Sequence, residues 1–264
     1  FVHYFDPHAP YRMRGPYVQK LREAGFDPPA RAVPGHSEQE VRRARIAYQS
    51  EVLYVDEALA GLLRAFRNRG ILDRTLVVVT SDHGEGLGQH GWMAHTRYLY
   101  DEQVHVPWIL RWPGRLPAGA RIRTPVGLED LAPTIAELAG VTLPGDADGR
   151  SLAADLARGA DPAPGPVFGF RPPLGDGAGG QLGELRSVRA EDWKYIRSED
   201  GPDELYDLGA DPGELHSLHP QRPDEGSRLG ALLDAHVEAR RRHAEQTEMD
   251  DAQRERLRAL GYVE

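Results

Sequence analysis

Two side chains able to ligate a metal, Asp82 and His83, stand directly behind an apolar, β-branched run, Leu76-Val77-Val78-Val79-Thr80. Two more histidines, His90 and His95, follow within a dozen residues. A carboxylate oxygen beside an imidazole nitrogen is a donor mix open to Zn²⁺ or Mn²⁺, and to Ca²⁺ or Mg²⁺ if more carboxylates join. Two ligands do not hold a metal alone. The other reading is that Asp82 caps a turn and His83 is a satisfied buried histidine. His8 lies in Asp6-Pro7-His8-Ala9-Pro10-Tyr11, where two prolines keep the backbone extended. Taken alone it reads as an exposed loop histidine. Together, His8, His90 and His95 could set donors around a tetrahedral oxyanion, and donors aimed where charge develops are usually the largest catalytic contribution. Glu85 would orient His83 or the neighbouring backbone, the alternative being a solvated loop carboxylate.

These residues need elements to position them. The run Leu76–Thr80 suits a strand buried on both faces, and the glycine-rich stretch from Ser81 to Gly88 suits a loop at its carboxyl end. In open α/β sheets ligands bind at that end. Upstream, Ser37-Glu38-Gln39-Glu40 matches a capping box. Behind it Val41, Ala44, Tyr48, Val52, Val55, Leu59, Leu62 and Phe66 recur at helical spacing, and Gly70 stops the helix. A short link then reaches the central strand, which is βαβ logic. Phe1 to Phe5 and His105 to Trp112 read as further strands, Val126 to Leu128 as a short one, and residues 12–36 as a long surface loop. A helix starts at Asp130 and stops at Gly140, and a short helical stretch follows Gly149-Arg150-Ser151-Leu152.

Composition changes near residue 158. Two Gly, Pro and Asp-rich stretches, 159–166 and 172–183, read as linker or flexible loop. Strand-like pieces at 167–170, 187–189, 193–197 and 205–206 suggest an antiparallel meander, with a helix over 229–237 packed on it. The tail over 243–258 is very polar and helical or frayed. The expected fold is therefore α/β. A mostly parallel sheet flanked by helices occupies residues 1–158, and a smaller antiparallel sheet with one helix and a polar tail occupies 159–264.

The chain has 264 residues and no cysteine, so it has no disulfide framework, thiolate metal site or cysteine nucleophile. A net charge of −9 disfavours non-specific nucleic-acid binding and leaves anionic substrates open. No apolar run approaches the ~20 residues of a membrane span.

The segment TSDHGEGLGQHGWMAHTRYLYDEQVHVPWILRWPG resembles the second signature region of the sulfatases, in the alkaline phosphatase superfamily. FVHYFDPHAPY resembles their histidine-bearing strand and loop, and VGLEDLAPTIAELAGVTLPGDADGRSL the helix that follows. WKYIRSEDGPDELYDLGADPGELHSL resembles their carboxyl-terminal sheet, and Leu257 to Val263 a motif near the family's end. The resemblance implies an alkaline-phosphatase-like fold. It implies Asp82 and His83 as ligands of one divalent metal, Ca²⁺ foremost, with Mg²⁺ or Mn²⁺ as alternatives. It implies His8 as a sulfate-binding histidine. His95 stands where many members carry a lysine on the sulfate, and would serve as substrate ligand and acid. His90 would be structural. The implied partner is a small-molecule or glycan sulfate ester, and a periplasmic or extracellular setting fits.

The family's nucleophile is a formylglycine made from Cys or Ser in C/S-x-P-x-R. No serine here (37, 50, 81, 151, 187, 198, 217, 227) is followed by x-Pro-x-Arg. The abrupt start at Phe1 fits a carboxyl-terminal portion whose nucleophile half lies elsewhere. Such a portion alone is expected to bind metal weakly or not at all and to turn nothing over. Two alternatives to a sulfatase parent stay open: a phosphonate monoester or phosphodiester hydrolase of the same superfamily, and a non-catalytic binding module.

Overall fold

The computed structural model describes residues 1–143, 145, 147–175, 181–246 and 255. The first fifty residues are organised by α2 (Glu38–Asn68), which carries the complete capping box: Ser37 accepts from the Glu40 backbone, and the Glu40 side chain accepts from the Ser37 backbone. Within the segment expected to be loop lies α1 (Gly15–Glu23), with a proline in its first turn and Val18 and Leu21 buried. Their three-residue spacing behind Pro16 is the signal that a loop reading passes over. α1 packs on α2, with Tyr17 edge-on to Tyr54 at 5.9 Å.

Residues 1–5 form no strand; Phe1, Val2 and Phe5 are exposed. Aromatic alternation makes a strand only where a neighbouring ladder takes its N–H and C=O groups, and no described strand lies beside this segment. Val126–Leu128 also forms no strand; a 3₁₀ turn over Leu128–Asp130 leads into a helix instead.

β1 (Val77–Thr80) leads through the site loop and the single turn α3 (Asp101–Val104) to β2 (Trp108–Arg111). β1 and β2 pair antiparallel, Val77 opposite Arg111 and Thr80 opposite Trp108. The α/β class stands, but the mostly parallel sheet expected over residues 1–158 does not appear among the described residues. A parallel ladder needs a crossover partner, whereas residues 81–107 double back along β1's own edge. α4 (Leu131–Ala139) ends on left-handed Gly140, and α5 (Ala153–Arg158) on left-handed Gly159.

β3 (Val167–Arg171) opens the second layer. The small hairpin β4 (Leu174–Gly175) and β5 (Gln181–Leu182) follows, then β6 (Leu185–Ala190), β7 (Trp193–Ser198) and β8 (Glu204–Asp207). The order β3-β6-β7-β8 is antiparallel throughout, as the meander pattern predicts. Strand alternation sorts β7's side chains to two faces. Tyr195 meets Leu229 and Leu233 of α6 (Pro223–Gln246), while Ile196 joins Leu99 and Tyr100 of the site loop. Each such buried Leu contributes about 1.5–3 kcal/mol. The second sheet thus braces the loop that leaves β1. Among the described residues no helix is long and apolar enough to cross a membrane. The motif at Leu257–Val263 lies outside the described residues.

Candidate functional site

Three histidines from two distant stretches meet. His8, His83 and His95 each offer a ring nitrogen, and these lie within 4.8 Å of one another. The His83 and His95 rings stack at 4.1 Å and 29°, and His8 stands edge-on to both, at 6.2 and 5.0 Å. All three are half-buried.

Each ring is fixed through one nitrogen. His8 Nδ1 is 2.7 Å from the carbonyl of Ala9, His83 Nδ1 2.8 Å from that of Gly84, and His95 Nδ1 3.1 Å from Glu85 Oε1. Carbonyls and carboxylates only accept, so Nδ1 carries the proton and donates in each case. That leaves Nε2 on all three rings as the atom with which to meet a ligand.

His83 is aimed by the sequence directly behind β1. The N–H groups of Gly84 and Glu85 donate to the carbonyls of Gln103 and Glu102 at 2.7 and 2.8 Å. This brings two backbone segments so close that a Cβ on Gly84 would lie 2.2 Å from the Glu102 carbonyl oxygen. Glycine is required there by contact, not by turn geometry.

His95 is held under backbone strain. Ala94 and Thr96, on either side, have φ of 78° and 75°. Non-glycine residues in left-handed conformations cost of order 1–3 kcal/mol each and persist only where surroundings hold them. Here the Ala94 N–H donates to the Gly86 carbonyl at 2.8 Å, and Glu85 holds the ring. Glu85 is buried, its side chain 4% exposed, and its partner is His95 rather than His83. The Tyr11 hydroxyl is buried beside it; burial and the Glu85 charge push that phenol far above its ordinary range.

His8 is aimed by its loop's attachment to α2. The N–H of Arg12 donates to Glu51 Oε1 at 3.0 Å, and that of Arg14 to Ser50 Oγ at 3.1 Å. Ser50 and Glu51 are both fully buried.

Asp82 stands outside the trio, its side chain 80% exposed and Oδ2 3.9 Å from His83 Nε2. Its Oδ1 accepts from the His83 N–H at 3.0 Å. Desolvation works to raise this carboxyl, but the His83 charge and N–H and the Ser81 hydroxyl outweigh it and hold it low. His90 is turned elsewhere, stacked on Tyr100 at 3.7 Å between Glu102 and the Glu214 carbonyl.

A cavity of about 1130 Å³ opens beside the trio, lined by Asp82, His83, His95, Trp108, Arg121 and Arg123 among others. Sequence reasoning missed the two positioning groups behind the site, Glu51 and Ser50. The signal for Glu51 is a carboxylate three residues after Tyr48 and four before Val55, at the edge of α2's apolar stripe; Ser50 lies off that stripe and gives none.

The sulfatase family model matches residues 1–141, which hold every residue of the trio. The chain is 33% identical over 205 residues to arylsulfatase K of Danio rerio, covering 75% of this chain and 38% of that protein. It thus spans well under half the length of that relative. A solved structure of a protein in complex with its substrate D-glucosamine-2-N,6-O-disulfate superposes with a TM-score of 0.66 at 30% identity, over 75% of this chain and 41% of the other. The phosphonate monoester hydrolase of Agrobacterium radiobacter gives a TM-score of 0.66 at 26% identity, over 78% and 43%.

Proposed function

The chain belongs to the sulfatase family, and from that premise we propose that its site serves the hydrolysis of a sulfate ester, a small-molecule or glycan one. The observation that carries the reading is the convergence of His8 and His95 on His83, from two stretches of the family-matched region. With an ester bound, the Nε2 atoms of His8 and His95 face its sulfuryl oxygens and donate to them when each ring carries a proton on both nitrogens. His95, braced by Glu85, is placed to pass a proton to the departing alkoxide. The cavity with Arg121 and Arg123 on its wall takes the rest of an anionic substrate.

The family's formylglycine, which no residue of this sequence can furnish, would supply the nucleophile for sulfur. Asp82 and His83 are the two donors this chain brings to a divalent cation: Ca²⁺ on the family resemblance, with Mg²⁺ or Mn²⁺ as alternatives. By themselves they do not suit a hard cation, which takes six or more oxygen ligands; the local set is rich in nitrogen.

The test is hydrolysis by the full-length protein of aryl sulfate and aryl phosphonate esters in parallel. Sulfate turnover that falls at least ~100-fold in His8→Ala and His95→Ala supports the reading. Turnover unchanged in both variants removes the site. Preference for the phosphonate ester would move the chain to the second reading, which the likeness to the phosphonate monoester hydrolase favours. The 264 residues alone should turn over neither ester.

A further inference from the structure

Three imidazoles pinned through Nδ1 form a donor set with its own preference among metals. Imidazole nitrogen suits Zn²⁺, Co²⁺, Ni²⁺ and Cu²⁺, whereas Ca²⁺ and Mg²⁺ seek carboxylate, carbonyl and water oxygens. Metal-binding histidines characteristically donate the other ring N–H to a backbone carbonyl or a carboxylate, which fixes the tautomer and aims the lone pair. All three histidines here meet that condition, through Ala9, Gly84 and the buried Glu85.

We propose that His8, His83 and His95 bind a transition-metal dication, Zn²⁺ first, through their three Nε2 atoms. The fourth position is left to water. Zn–N bonds of about 2.0–2.1 Å set tetrahedral nitrogens roughly 3.4 Å apart. One nitrogen from each ring already lies within 4.8 Å of the others, and the stacked His83 and His95 rings, 4.1 Å apart, splay for their Nε2 atoms to face one ion. Asp82 is not needed: it is the most exposed of the four and its Oδ1 is turned to the His83 backbone. The sequence alone offers the pair Asp82–His83 and hence weak binding; the fold adds His8 and His95 and completes the site within this chain. A metal so bound occupies the nitrogens that a sulfate ester would need. The same pocket then takes an anion or a borderline cation, but not both.

The experiment is titration of the 264-residue chain with CoCl₂, read by visible absorption. It needs no catalysis, so it stands apart from the sulfatase reading. The intense bands of four-coordinate Co²⁺ are expected, abolished by Zn²⁺ and unaffected by excess Ca²⁺. His8→Ala and His95→Ala should each weaken binding at least ~10-fold. His105→Ala, exposed on the wall of the same cavity, should not. Displacement by Ca²⁺, faint six-coordinate bands, or a loss in Asp82→Asn with none in His8→Ala and His95→Ala would overturn the proposal. The competition arms use the unaltered chain, so they decide it even if a variant fails to fold.

Discussion

Glu51, fully buried on α2, accepts the backbone N–H of Arg12 at 3.0 Å, and so ties the loop that carries His8 to the longest helix among the described residues. Burial pushes the Glu51 carboxyl up, against the opposing pull of the Arg12 N–H. The bond to Arg12 asks only for an acceptor oxygen, which an amide also supplies. Arg14 adds a second, looser tie, its Nε 3.8 Å from Glu51 Oε1 while its Nη2 bonds Asp6 at 2.9 Å.

Replacing Glu51 separates these roles. Glu51→Gln keeps an acceptor for Arg12 and should leave the loop in place. Glu51→Leu strands that donor, at a cost of about 1–3 kcal/mol. Hydrogen exchange read at the amides of residues 12 and 14 should quicken in Glu51→Leu and stay near the parent rate in Glu51→Gln. Equal protection in all three proteins would mean that the helix does not anchor the loop.

Much of this was legible before the fold was known. The helix from Ser37, its capping box, the strand ahead of Asp82 and the antiparallel strands after residue 166 all follow from local patterns, because each is specified by residues next to one another. What escaped depends on distance. The stretch Phe1–Phe5 has strand-like residues, but a strand is a relation between segments and its partner is not among the described ones. Glu85 reads as a loop carboxylate, and only the return of the chain to His95 buries it. Lys194 sits in an ordinary strand pattern, yet its two acidic partners come from residues 101 and 214.

That lysine offers the second prediction. Lys194 is 3% exposed, 2.7 Å from Glu214 Oε1 and 2.8 Å from Asp101 Oδ1. Burial raises the Glu214 carboxyl against Lys194's attraction; for Asp101 burial also opposes ionisation, but Lys194 prevails and lowers it. Glu214 also accepts the Asp101 N–H, so the cluster fastens the site loop to the second sheet. Lys194→Met leaves the buried Glu214 without its cation and Asp101 with Arg189 alone, at 3.4 Å, and should cost about 3–5 kcal/mol. Lys194→Met with Glu214→Gln should recover part of that loss. Urea denaturation decides it: a single variant as stable as the parent, or a double variant worse than the single by the full cost again, would show that the cluster is not a coupled unit.

His90 carries the pH dependence. Its Nδ1 lies 2.6 Å from Glu102 Oε1 and its Nε2 3.1 Å from the Glu214 carbonyl, so both nitrogens face acceptors and both protons are wanted in the fold. Burial works against the charge, but the Glu102 carboxylate and the Glu214 carbonyl outweigh it and raise the imidazole above its ordinary value. A group raised on folding lends stability that is complete below its unfolded value, about 6.5. That stability is lost as pH climbs through the folded value. The urea midpoint of the parent should therefore fall as pH rises above about 6.5, and His90→Gln should lose this part of the slope while keeping the rest. Glu102→Gln should flatten the same window, since it removes the main source of the shift. Parallel midpoint curves for parent and His90→Gln across that window would show that His90 contributes no proton linkage. The joint between the site loop and the segment after β8 would then rest on packing with Tyr100 and on the Asp101–Glu214–Lys194 cluster.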